Sequence, residues 1–112
     1  MKANRAAAHQ DDVFAALGDP TRRRTFELLR EGPQSVGVLA TRLPVSRPAV
    51  SQHLRVLKDA GLVTDEAAGT RRLYRVDLGA LESLRAYLDS FWTEALDSFK
   101  QIAESKRKGA RE

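Results

Sequence analysis

The 112-residue sequence contains no cysteine. That excludes disulfides, thiolate metal sites and thiol redox chemistry, and it agrees with a reducing cytoplasm. Long apolar runs are also missing. The N-terminal stretch "MKANRAAAHQDDVF" has no signal-peptide core, and no segment approaches the ~20 apolar residues of a membrane span. A cytoplasmic protein without a membrane partner is expected. His9 and His53 are the only histidines. There is no nucleophile–base pair, no glycine-rich phosphate loop and no HExxH-type spacing, and the carboxylates are scattered over helical surfaces. No enzymatic activity, cofactor or metal is therefore expected. Internal repeats and low-complexity stretches are absent as well.

What is present is the balance of a folded protein. Hydrophobic residues make up 42% and charged residues 30%, which sets the chain apart from disordered sequences. Residues 1–112 read as one domain, with a core small enough to lean on a partner subunit. The net charge of +4 is unevenly spread. From Arg42 to Val76 seven basic residues face three acidic ones; from Asp77 to Glu104 two face six. The tail "SKRKGARE", residues 105–112, is basic again. One face suited to an anion and another that is not fits this division, as do two solvated surfaces of uneven charge.

Val13, Phe14 and Leu17, followed by Gly18, predict a short first helix. Asp19-Pro20 then opens a second as N-cap and first turn, and Gly32-Pro33 closes it. Val36, Leu39, Ala40 and Leu43 fall at i, i+3, i+4 and i+7, one helical face that Ser35 can cap. After a tight turn of about three residues, Ser46 caps "RPAVSQHLRVLKDA", and Gly61 suits its left-handed C′ position. A helix, a tight turn and a second helix make the helix-turn-helix arrangement, over about residues 35–60. The runs on either side of "AAGT", about residues 62–76, read as a β-hairpin with a loop of about four residues. Leu81, Leu84, Leu88, Phe91, Ala95, Phe99 and Ile102 then step along a long helix, about residues 78–104, and approach a heptad seam.

With Val50, Leu54 and Leu57 buried, helical geometry turns Pro48, Gln52, Arg55 and Asp59 to the opposite face, with Ser51 on its flank. Ser46 and Arg47 occupy the first turn. Arginine pairs with guanine, glutamine with adenine, and serine with bases or phosphate. Arg47, Ser51, Gln52 and Arg55 thus match a base-reading face, which the basic hairpin and preceding helix favour over a merely solvated one. Arg71 and Arg72 follow the turn glycine. They suit phosphate or minor-groove contact, which for at least one of the two is favoured over the charged edge strand that resists aggregation. His53 reads as a structural histidine between helices. Phe91-Trp92 reads as core or dimer interface rather than a ligand pocket.

The segments "ALGDPTRRRTFELL", "SRPAVSQHLRVLKDAGLV" and "GTRRLYRVD" together resemble the winged-helix domain of the ArsR/SmtB family of transcriptional repressors, in the family's order. The resemblance implies a mainly α fold of about five helices with a two-stranded wing. It implies a homodimer bound to double-stranded operator DNA through Ser46, Arg47, Ser51, Gln52 and Arg55, with Arg71 and Arg72 on the wing. The implied dimer positions are Val13, Phe14 and Leu17 with Leu84, Leu88, Phe91, Trp92 and Ala95. Metal-sensing members place paired cysteines before the recognition helix, or aspartate and histidines on the last helix. This chain has "SVGVLATRL" and "LESLRAYLDSFWTEALDSFK" there. An oxygen-only set from Asp89, Glu94 and Asp97 would hold hard cations weakly. The expectation is a non-metal-sensing repressor that answers to no signal or to a small-molecule or protein effector. A low-specificity architectural DNA binder and a protein-interaction module are the alternatives.

Overall fold

A computed structural model describes residues 2–111, with side chains for residues 10–109. The side chain of His9 and the end of the basic tail lie outside that range. The chain divides into two compact units, Met1–Ala80 and Leu81–Glu112. As the sequence predicts, the described residues form five α-helices and one antiparallel hairpin.

Helix α1 spans Lys2–Gly18, longer than the short helix expected, because "KANRAAA" adds residues of high helix propensity. Helix α2 covers Pro20–Leu28 and tightens into a 3₁₀ turn at Leu29–Glu31. The Asp19 carboxylate accepts from the Arg22 backbone N–H at 2.8 Å, the predicted N-cap. The α1–α2 corner is closed by side chains. Arg22 Nε donates to the Ala16 carbonyl at 2.6 Å and Arg23 Nη1 to the Leu17 carbonyl at 2.8 Å. The last carbonyls of a helix have no partner within it, and "TRRR" supplies two.

Helix α3 runs only from Val36 to Thr41, capped by Ser35. It stops earlier than expected, so Arg42–Ser46 make a five-residue connection to α4 instead of the three-residue turn predicted. Pro44 explains the difference: it disfavours helical backbone at Leu43 and has no N–H to donate. Leu43 nevertheless turns inward, 7% exposed. Helix α4, Arg47–Asp59, begins at the predicted cap, where the Ser46 hydroxyl accepts from the Ala49 backbone N–H at 3.4 Å. It ends in a Schellman motif. Gly61, at φ 81°, donates to the Lys58 carbonyl at 2.9 Å, and Leu62 donates to the Leu57 carbonyl at 2.9 Å. Leu57 and Leu62 are both fully buried, which adds the apolar contact of that motif.

Strands β1, Val63–Ala68, and β2, Arg71–Val76, pair from Val63↔Val76 to Ala68↔Arg71. The loop is therefore Gly69-Thr70, two residues and not four. Gly69 has φ 64° and, among the described residues, no non-glycine has positive φ, the pattern of a type II′ hairpin turn. Gln34 adds a one-residue bridge to Tyr74, through backbone bonds of 3.0 and 2.9 Å. The core of this unit joins Leu39, Val50, Leu54, Leu57, Leu62 and Val63, each 0–2% exposed, with Val13 and Leu29 beside them. Helix α5, Leu78–Arg111, follows. Asp77 caps it by accepting from the Ala80 N–H at 3.2 Å.

Candidate nucleic-acid interface

The face assignment of α4 holds residue by residue. Val50, Leu54 and Leu57 are fully buried, while Ser51, Gln52 and Arg55 are exposed together with Pro48 and Asp59. Residues three and four apart on a helix are surface neighbours, so Ser51, Gln52 and Arg55 make one contiguous polar patch. Arg55 has no ion pair among the described residues. Its guanidinium is therefore not engaged by a carboxylate of the described residues.

Arg47 is placed differently. Its guanidinium lies over Gly37 of α3, so close that a Cβ on Gly37 would stand 3.0 Å from Nη2. There it lines an open cleft of about 560 Å3 shared with Arg71, Arg72 and Tyr74 of the wing. Six of the seven predicted DNA-contacting residues thus form two groups, with Ser46 apart from both. Ser51, Gln52 and Arg55 lie on the outer face of α4. Arg47, Arg71 and Arg72 converge on the cleft between α3 and β2. Ser46 has its hydroxyl occupied as the cap of α4.

Sequence reasoning missed the residue that ties these groups together. Asp65, with its side chain only 6% exposed, receives Lys58 Nζ at 2.7 Å on one carboxylate oxygen and Arg72 Nε at 2.7 Å on the other. The hydrogen bond from Lys58, then that from Arg72, holds its carboxyl below the usual carboxylate range. The recognition helix and the wing are thereby joined through one acid. The available signal was an acid at the start of the wing, beside Glu66, within a stretch where basic residues outnumber acids seven to three. Its two partners are seven residues away on either side in sequence, and only the hairpin register and the helix end bring them to it.

Of the implied dimer positions, Val13 is 3% exposed and lies in the core of its own chain, while Phe14 is 43% exposed and Leu17 half-buried. On α5, Leu88, Phe91, Trp92 and Ala95 are exposed and Leu84 is half-buried. The exposed apolar row continues to Leu96, Phe99 and Ile102. Tyr87 and Phe91 meet edge to face with ring centres 5.1 Å apart. His53 is half-buried, and its Nδ1 has no hydrogen-bond partner. Among the described residues, no group of three or more His, Cys, Asp or Glu is placed to hold a metal ion. No described helix is long and apolar enough to cross a membrane.

A helix-turn-helix with an exposed polar face on its second helix, followed by a basic two-stranded wing, defines a winged helix-turn-helix DNA-binding protein. A helix-turn-helix domain family matches residues 17–66. The HTH-type transcriptional regulator Rv2034 of Mycobacterium tuberculosis is 55% identical over 96 residues, 86% of this chain and 90% of that protein. The transcriptional repressor SdpR of Bacillus subtilis is 35% identical over 72 residues, 64% of this chain and 80% of its own. The structure of an ArsR-like transcriptional regulator from Rhodococcus sp. RHA1 superposes with a TM-score of 0.71 at 39% identity, covering 87% of this chain and 94% of that one. A homodimeric winged helix-turn-helix DNA-binding domain from Mycobacterium bovis, described as a possible ArsR-family regulator, gives a TM-score of 0.64 at 28% identity, covering 79% and 82%. The chain belongs to the ArsR/SmtB family of transcriptional regulators.

Proposed function

We propose that the protein is a homodimeric repressor that binds an inverted-repeat operator in the cytoplasm and senses no metal. The observation that carries this reading is the division of α4: Val50, Leu54 and Leu57 fully buried, Ser51, Gln52 and Arg55 exposed opposite them. Arg47, Arg71 and Arg72 supply cationic contacts to the sugar–phosphate backbone beside that face. Two copies pair through the apolar row Leu84, Leu88, Phe91, Trp92 and Ala95 of α5, and through the α1 surface that carries Phe14 and Leu17. Val13 supports that surface from within its own chain. A two-fold axis then sets the two recognition helices into successive major grooves, ~34–36 Å apart. Promoter occupancy excludes polymerase. The absence of cysteine supports the lack of a thiolate switch.

Fluorescence anisotropy with the protein's own promoter and with bulk competitor DNA tests the reading. The expected preference is ~10³-fold or more at physiological salt. Binding without preference would make the protein an architectural DNA binder. No binding at low salt would leave a protein-interaction module.

A further inference from the structure

The cleft between α3 and the wing has a feature that DNA contact alone does not require. It is concave, and at about 560 Å3 its volume lies in the range of small-molecule sites. Its lining contains three arginines and no carboxylate. Arg72 is held by Asp65, but Arg47 and Arg71 have no ion pair among the described residues. Arginines lining one concavity repel one another, least for Arg72 with its Asp65 partner, and an anion placed among them relieves that repulsion. The α3 wall places two valines between Ser35 and Thr41, whose hydroxyls are already bonded to the α3 backbone. Val36 and Val38 of α3 face the cleft, and Val38 is 43% exposed although it is a valine on a helix. Gly37 between them leaves the α3 backbone bare under Arg47. Tyr74 adds a ring and a hydroxyl. Inorganic phosphate would fill a small part of this volume and leave the valines and the ring uncovered.

We infer that this cleft binds a small organic anion, a carboxylate or phosphate carried on an aromatic or branched apolar body, and that its occupancy displaces DNA. The charged group lies among Arg47, Arg71 and Arg72, and the body covers Val38 and Tyr74. Displacement follows because these arginines are also the ones assigned to the DNA backbone. That second half rests on the DNA-binding reading; the binding itself does not.

The test uses the full chain and phenyl phosphate as probe, with inorganic phosphate and phenol as its two halves, all at constant ionic strength. In a ¹H–¹⁵N NMR titration, phenyl phosphate should shift the Gly37, Val38 and Tyr74 amides and the Arg47 and Arg71 Nε–H signals saturably. It should bind at least about tenfold more tightly than either half, and Arg71→Ser should weaken it about tenfold, the scale of one charge-assisted contact. Arg24→Ser, on α2 and outside the cleft lining, should leave the titration unchanged. Shifts spread evenly over the exposed arginines, or equal affinity for inorganic phosphate, would overturn the site. In parallel, phenyl phosphate should release a labelled promoter duplex more effectively than sodium chloride of equal ionic strength. Saturation of the cleft with the duplex still bound overturns the displacement. Saturable probe binding by a protein that fails to bind its promoter at all overturns the DNA reading and upholds the site.

Discussion

Lys58 Nζ lies 2.7 Å from Asp65 Oδ1, and this contact fastens the last turn of α4 to the first strand of the wing. Arg72 holds the second oxygen from the opposite strand. Both cations are about half exposed while the acid is nearly covered. Removing the acid therefore leaves two solvated cations rather than two buried ones. Asp65→Ala should destabilise the domain by about 1–2 kcal/mol, the scale of hydrogen bonds to a charged group beside solvent. It should weaken DNA binding further by loosening the wing. Urea denaturation with promoter titration separates the two effects.

The same carboxylate predicts a pH dependence. Its folded pKa is depressed by the Lys58 and Arg72 hydrogen bonds, and that of Asp19 by the backbone N–H of Arg22. A depressed carboxyl binds its proton more weakly folded than unfolded. Its stabilisation is present above the usual carboxylate range near pH 4 and is lost as pH falls through the folded value. Thermal melts should show Tm constant from about pH 7 to 5 and falling below about pH 4. In Asp65→Asn the acid-side fall should be shallower. An identical slope in that variant would show that other carboxylates carry it.

Gly37→Ala should separate stability from function. Alanine exceeds glycine in helix propensity by ~0.5–1 kcal/mol, and Gly37 is a helical glycine without positive φ. The new Cβ meets only the far end of the Arg47 side chain, at 3.0 Å. The guanidinium moves aside and the helix strengthens. A raised Tm with reduced promoter affinity is the expected pair of results.

Arg55→Ala should cost ~1–3 kcal/mol on the promoter and relax discrimination at one base position if Arg55 reads a base edge. Replacing Arg71 and Arg72 with Ala should instead flatten the slope of log K against log salt. Measuring both variants across several salt concentrations distinguishes reading from backbone contact.

Phe91→Glu introduces a charge into the exposed apolar row of α5, where Phe91 is 56% exposed in the single chain. A burial cost arises only if a partner covers that position. Sedimentation should then show monomers, with circular dichroism unchanged. A dimer that persists would put the pairing surface elsewhere.

Much of this architecture is legible from the residues. Asp19, Ser35 and Ser46 read as caps and act as caps, and Gly61 reads as a helix stop and closes a Schellman motif. Local chemistry decides these features, so a local reading finds them. The burial of Val50, Leu54 and Leu57 follows from spacing alone. What escaped the reading depends on partners distant in sequence. The Gln34–Tyr74 bridge is one residue long and has no period to detect. The Asp65 contacts need the hairpin register, and the place of Arg47 over Gly37 needs the angle between two helices. The α1 carbonyls clasped by Arg22 and Arg23 explain a run of arginines that charge counting leaves without a role.

The two-residue turn at Gly69-Thr70 limits how the wing can change over evolution. A hairpin pinned by so short a loop absorbs an odd insertion only by forming a bulge or a longer loop. One added residue in a strand would exchange the faces of Arg71 and Arg72 and pull Asp65 out of line with its cations. A longer wing that keeps the two-residue turn and an unbulged register therefore grows by two residues per strand, about 7 Å of reach at a time.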